Sequence, residues 1–323
     1  MAAPIELVTL GGTISMAVAA GGLAKPQLDA AGIASLAGVH DVEFRTSPIA
    51  QLGGSELTFE HLRAVSRRLA ELADVAGVIV VTGTDSIEEV AAWLTYAGPW
   101  PFPVAVTGSM LPGAEPGSDA AANLRGAIDA VRLGCWREPV VVFAGKVLLG
   151  RRVQKVSGTL VDAFDTPGFP LLARRESHGW RVIERPAAAT TLGPPGDHDA
   201  KVALVTAYMG ADGHVIDCAA QASDAVVVAA NGAGNLPVGM ADAVVRQVRD
   251  GRLIVVGTRA HDSRTAPVYG YPGGGGQLAA ADVPVVGGMT PHHIRVFLAI
   301  ALSQGRSATD TLEKLRAHVD SVN

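Results

Sequence analysis

Three short stretches set hydroxyls and carboxylates directly after apolar runs. In Leu10-Gly11-Gly12-Thr13-Ile14, two glycines permit a sharp turn and close ligand approach before a threonine hydroxyl is presented. In Val81-Thr82-Gly83-Thr84-Asp85-Ser86-Ile87-Glu88-Glu89, a hydroxyl stands beside a carboxylate that can pair with an ammonium. Ser86 and Glu89 have the S-x-x-E spacing of a capping box, so a helix is expected to begin there with Thr84 and Asp85 at its N-terminus. The third stretch is Val106-Thr107-Gly108-Ser109-Met110-Leu111-Pro112, followed by Ser118-Asp119 and Asn123-Leu124. Ser118 or Asp119 is expected to cap the Ala-rich helix after it. Each stretch also has a plainer reading: a turn with a capping threonine, an aspartate that only caps a helix, and a strand end before a capped helix. The plain reading of the second leaves Thr84 unexplained.

Such residues need elements to position them. Ile5–Leu10, Val78–Val81, Val104–Val106 and Val140–Phe143 are short apolar runs that read as buried strands. Leu62–Leu72, Ile87–Leu94 and Ala120–Leu133 have helical spacing. Strand–helix–strand repetition predicts a mainly parallel sheet covered on both faces, and reactive residues gather at the carboxyl ends of such strands. The run Ser15–Leu28, rich in Ala and Gly, reads as a lid. Residues 186–200, with Pro186, Pro194, Pro195 and Gly196, read as a linker between an N-terminal domain over 1–185 and a smaller α/β domain over 201–323. Within the latter, Val202–Thr206, Ala225–Ala229 and Leu253–Gly257 are expected as strands and Met240–Val248 as a helix. Thr290 is expected to cap a helix whose first residue is Pro291, and Ser307 or Thr309 to cap the last one.

Composition narrows the chemistry. The chain has 323 residues, 48% hydrophobic and only 18% charged, which is the opposite of a disordered composition. A net charge of −5 gives no reason to expect nucleic acid or anionic lipid as a partner. Cys135 and Cys218 are too few for a disulfide framework, and a reducing, cytoplasmic compartment fits them. No run approaches the ~18 apolar residues of a membrane span. There is no phosphate-binding G-x-x-x-x-G-K-[ST] loop and no G-x-S-x-G elbow. His292 and His293 are adjacent and cannot form an H-x-x-x-H pair, so no metal site is indicated.

Taken in order, Gly-Gly-Thr13, Thr-Gly-Thr84-Asp85, Thr-Gly-Ser109-Met110 and Ser118-Asp119 with Asn123-Leu124 resemble the signature of the bacterial-type L-asparaginase family. Arg151-Arg152-Val153-Gln154-Lys155 with Asp162-Ala163-Phe164 resembles its lysine segment, and Asn231-Gly232-Ala233-Gly234-Asn235-Leu236 its second-domain contribution. The resemblance implies two α/β domains, no cofactor, a homodimer or homotetramer, and hydrolysis of L-asparagine to L-aspartate and ammonia with minor glutaminase activity. By motif position Thr13 is the nucleophile, with Thr84, Asp85 and Lys155 beside it. Gly54, Ser55, Thr84, Asp85, Ser109 and Asn235 are the implied substrate contacts.

The chain departs from the family pattern in three places, one of them the second-domain loop, which has no match for the acidic residue that some members place near the neighbouring active site. The lid lacks the usual tyrosine, for which Tyr269 or Tyr271 could substitute from another direction, and Gly54-Ser55 stands where the family has serine followed by serine or glutamine. A non-catalytic asparagine- or aspartate-binding sensor, or an amidohydrolase of a related amide, is therefore the competing reading.

Overall fold

A computed structural model describes residues 3–18 and 24–322. The chain divides into two units, Met1–Ala188 and Ala189–Asn323.

In the first unit, strands β1 (Ile5–Gly11), β2 (Phe44–Leu52), β3 (Gly77–Val81), β4 (Val104–Thr107), β5 (Val140–Phe143), β6 (Lys146–Leu149), β7 (Ala173–Glu176) and β8 (Gly179–Val182) form one sheet. Its order is β8-β7-β6-β5-β4-β3-β1-β2. The five strands from β2 to β5 across that order run parallel, and β6, β7 and β8 extend the sheet antiparallel. Strand order reverses at β1: the chain leaves it for β2 on one side and returns to β3 on the other. A crevice at the carboxyl ends of β1 and β3 is where such a sheet binds ligands.

Side chains alternate along each strand, so each face of the sheet needs its own cover. Ile5, Leu7, Ile79, Val81, Val140 and Val142 pack with Ile33 of α1 (Ala30–Leu36) and with Leu124, Ile128 and Val131 of α4 (Ala120–Leu133). Burying each such side chain is worth about 1.5–3 kcal/mol. Helices α2 (Phe59–Ala70) and α3 (Ile87–Ala97) pack on each other, with the Phe59 and Trp93 rings 5.3 Å apart and Trp93 donating to Ser66 Oγ. Glu6, fully buried on β1, ties in the edge: it accepts from Ser47 Oγ on β2 and from Arg68 Nη2 on α2.

The second unit holds a three-stranded parallel sheet of β9 (Val202–Thr206), β10 (Ala225–Ala230) and β11 (Leu253–Thr258), with β10 central. Its core includes Ile216 of α5 (His214–Ala222), Met240 and Val244 of α6 (Val238–Arg249), and Leu278 of α7 (Gly275–Ala280). Helix α8 (Pro291–Ser303) packs on the sheet and α9 (Ala308–Val322) on α8. Thr290 caps α8 by accepting from His293 N, with Pro291 in the first turn, and Ser307 Oγ accepts from Asp310 N at the start of α9. Both follow from the residue types. His293 is buried in the first turn of α8.

Residues 186–200 carry no helix or strand. Their later part is fastened to the second unit: Gly196 N donates to Ser303 Oγ, Gln304 Nε2 to Pro194 O, and His318 Nδ1 lies 2.7 Å from Thr190 O.

Candidate active site

Four loops leave the carboxyl ends of β2, β1, β3 and β4. The register aligns them: Gly11 is opposite Leu52, Thr9 opposite Val81, and Val81 opposite Thr107. Gly12 and Gly83 are the residues that let these loops touch. Gly12 has φ +86°, and a Cβ there would run into the Gly83 backbone. A Cβ on Gly83 would lie 2.6 Å from Gly54 Cα. The three loops therefore meet backbone to backbone, and the residues that follow the glycines (Thr13, Ser55, Thr84 and Asp85) emerge side by side. The β4 loop joins them through Gly113, whose N–H donates to Thr13 O at 3.4 Å.

Thr13 opens a single 3₁₀ turn over Thr13–Ser15 and is half-buried. Ser15 steadies that turn by donating Oγ to Gly12 O at 2.8 Å. Beyond it Met16–Val18 pairs antiparallel with Ala24–Pro26, so the expected lid begins and ends as a ribbon; residues 19–23 lie outside the described residues.

Thr84 is 6% exposed and Asp85 is open to solvent. Lys155 joins them: its Nζ donates to Thr84 Oγ1 at 2.8 Å and to Asp85 Oδ1 at 2.7 Å. The lysine side chain is 18% exposed and that of Asp85 65%. Lys155 comes from a two-residue strand, Gln154–Lys155, paired antiparallel with Phe164–Asp165. The residues before it are anchored by Arg151, in a buried ion pair with Glu138 at 2.8 Å, and by Arg152, whose guanidinium lies 3.9 Å from the Phe169 ring centroid. Burial, with the neighbouring Arg151 behind it, pulls Arg152 down to about 10, so it stays charged at neutral pH against the ring face.

Two capping expectations need correction. Ser86 is the N-cap of α3, yet its φ/ψ of −120°/−2° is not the extended geometry a capping hydroxyl needs, and no S-x-x-E box forms. Its Oγ donates back to Gly83 O at 3.0 Å and lies 3.1 Å from Thr82 Oγ1, which stiffens the loop carrying Thr84. Asp119 likewise does not cap α4 with its side chain. Its carboxylate accepts from Met110 N and Leu111 N, while Ser118 Oγ accepts from Ala120 N. Asn123 Nδ2 donates to Gly108 O and to Asp119 Oδ2, so the pair clamps the loop that holds Ser109. The Ser109 hydroxyl donates to Leu111 O at 2.6 Å, so its proton is already committed within the loop. The i,i+4 spacing of Asp119 and Asn123 was the available signal for this clamp.

The structure thus brings Thr13, Gly54, Ser55, Thr84, Asp85, Ser109 and Lys155 onto one end of one unit. Asn235 belongs to the second unit, in the turn after β10, where its Oδ1 accepts from Gly275 N at 3.0 Å. Tyr269 and Tyr271, also in that unit, pack on one another with ring centroids 5.6 Å apart. Among the described residues no group of three His, Cys, Asp or Glu could hold a metal ion.

Comparison with known proteins bears on the family and the fold. A family model described as asparaginase, N-terminal, matches residues 4–188, and one described as glutaminase/asparaginase C-terminal domain matches residues 201–315. A probable L-asparaginase of Deinococcus radiodurans is 31% identical over 320 residues, covering 95% of each chain. An L-asparaginase of Bacillus licheniformis is 28% identical over 328 residues, covering 93% of this chain and 95% of the relative. The solved structure of the thermostable L-asparaginase from Thermococcus kodakarensis aligns with a TM-score of 0.87 and 26% identity, over 99% of this chain and 98% of that one.

Proposed function

The chain belongs to the asparaginase family, and from that premise we propose that it hydrolyses the side-chain amide of L-asparagine to L-aspartate and ammonia, with glutamine as a minor substrate, through an ester on Thr13. The observation that carries this reading is the Lys155 Nζ bond to both Thr84 Oγ1 and Asp85 Oδ1, on a loop in backbone contact with the Thr13 turn.

Threonine is a weak nucleophile until a partner takes its proton. Thr84 and Lys155 are a relay for that proton: Thr13 Oγ1 attacks the amide carbon, and its proton passes by way of Thr84 towards Lys155 Nζ. The carbonyl oxygen gains negative charge, which backbone N–H groups around Thr84 are suited to hold. Collapse breaks the C–N bond, the nitrogen takes a proton and leaves as ammonia, and the acyl group remains on Thr13. Water then attacks the ester by the same relay and frees the aspartate. The Ser109 carbonyl is assigned to the leaving amide nitrogen, and Gly54, Ser55 and Asn235 to the substrate's other polar groups.

Lys155 and the substrate's ammonium share one partner in this reading, the Asp85 carboxylate. A substrate α-ammonium arriving at the exposed Asp85 carboxylate competes for that carboxylate and places a second cation beside Lys155. Substrate binding and the base are thereby coupled.

The same proposal takes the enzyme to be a cytoplasmic homodimer or homotetramer; the two cysteines, unpaired with each other, suit a reducing compartment. Ammonia release from L-asparagine, L-glutamine and D-asparagine, with Thr13→Ala as blank, tests the activity. Release from L-asparagine that vanishes in the variant supports it. Binding without release would replace it with the sensor reading, and neither binding nor release would point to a different amide.

A further inference from the structure

We propose that Lys146 is a positioning residue for Lys155, acting through the strand that Lys155 pairs with. The inference rests on the reading of Lys155 as the base. Lys155 sits on a ribbon of two residues against two, and a ribbon that short does not hold its own geometry in water. The chain between its strands is open to solvent, with Val156, Leu160 and Val161 all exposed. Something outside the ribbon must fix it.

Two contacts with the main sheet do so. The Phe164 ring is fully buried, 4.8 Å from that of Phe143. The Lys146 ammonium donates to the Phe164 carbonyl at 2.6 Å and pairs with Asp162 Oδ1 at 2.5 Å. Phe164 is the residue opposite Lys155, and Ala163 O, between the two groups that Lys146 holds, accepts from Val156 N at 2.8 Å. The ammonium therefore grips the partner strand at the position that sets Lys155.

Lys146 is itself rigid at its root. It is the first residue after the two-residue turn Ala144-Gly145, whose φ values are +47° and +71°. It pairs with Phe143 on one side and Arg174 on the other. Asn123 accepts from Ala144 N at this turn, so the network that clamps the Ser109 loop also braces the foot of Lys146. An aliphatic side chain at position 146 would release Phe164 O and Asp162 together and let the ribbon drift. A displacement of about 1 Å in a reacting group is worth about 100-fold in rate.

The test compares Lys146→Met, Lys146→Arg and Asp162→Asn with Lys155→Met. Lys146→Met is expected to lower kcat by about 10–100-fold with KM changed less than about threefold. The pH profile of kcat should shift relative to the parent, because the proposed proton relay is the part displaced. Lys146→Arg should recover much of the loss, and Asp162→Asn should show a milder version of it. In a Lys155→Met background the Lys146→Met change should cost nothing further. If Lys146→Met fails to fold, Asp162→Asn carries the same pH readout. Full activity in Lys146→Met beside a crippled Lys155→Met would overturn the positioning role alone. A further loss in the Lys155→Met background, or an unmoved pH profile, would do the same by showing a merely structural effect. Wild-type turnover in Lys155→Met would remove the base assignment and the inference with it.

Discussion

Thr13 and Lys155 make different demands on a test, because in the proposed reaction one forms the bond and the other moves the proton. Thr13→Ala removes the only atom that can carry the ester, so turnover is expected to fall to the blank while the fold persists, since the site is a half-buried turn with no core side chain lost. Circular dichroism and ammonia release measured on the same sample check both halves. Lys155→Met keeps the nucleophile and the apolar stem but removes the proton acceptor. General acid–base help is worth about 10²–10⁴, so kcat should drop by that order with KM much less affected. A steady-state split that fell mainly on KM would reassign Lys155 to substrate binding. At this scale the sequence was informative where the candidate residues stand at strand ends: Thr13, Thr84, Asp85 and Ser109 each follow an apolar run within four residues. Lys155 was not legible that way, since it comes from a ribbon too short for any periodicity and meets Thr84 across 71 positions. It was reached by resemblance. Lys146 left no mark, because its partners are a backbone carbonyl and a carboxylate on an irregular segment with no periodicity to announce it.

Elements position these residues through contacts that tolerate little. Gly83→Ala would drive a Cβ to 2.6 Å from Gly54 Cα and wedge the β2 and β3 loops apart. Overpacking of this kind costs about 1–3 kcal/mol, so denaturant titration should show that loss together with a larger fall in kcat than stability alone explains. An effect on stability without one on kcat would mean that the loops do not set the geometry of Thr84. In the second unit, Asp217 of α5 accepts from Gln247 and Arg246 of α6, and those hydrogen bonds hold its carboxyl below the usual range, Gln247 first. Because its folded value is lowered, the stabilisation is present above the ordinary carboxylate value and lost as pH falls through the folded one. Asp217→Asn should therefore lower stability by about 0.5 kcal/mol near pH 6, and its melting temperature should converge on the parent's as pH falls below the ordinary carboxylate range. Buried elements were the legible ones: Ala120–Leu133 and Val140–Phe143 are found at the residues expected. Strand β2 gave no such signal, since it lies at the sheet edge, only half-buried, with Arg45 and Pro48 in its run. The Ser86 box misled because its spacing was right while its backbone was in a turn.

At the scale of the whole molecule, the question is whether a chain with its proposed proton relay in one unit also uses the other. Asn235 is the residue assigned there, and its carboxamide has two ends. The oxygen already serves the second unit by accepting from Gly275 N at the start of α7. The amide N–H₂ is the end that the proposal gives to the substrate. Asn235→Asp separates the two uses, because it keeps an oxygen for Gly275 and removes the donor, whereas Asn235→Ala removes both. One hydrogen bond to a charged group is worth about 1.5–3 kcal/mol, which is about 10–100-fold in KM. Asn235→Asp is expected to show that rise in KM with melting temperature held, and Asn235→Ala to show it with melting temperature lowered. Sedimentation of both variants should give two or four times the 33.1 kDa chain mass if the proposed homodimer or homotetramer forms and stays intact. A variant that loses KM only when it also dissociates would assign Asn235 to assembly. A KM untouched in both would confine substrate recognition to the loops after β1, β2, β3 and β4, and the second unit would then act through its fold alone.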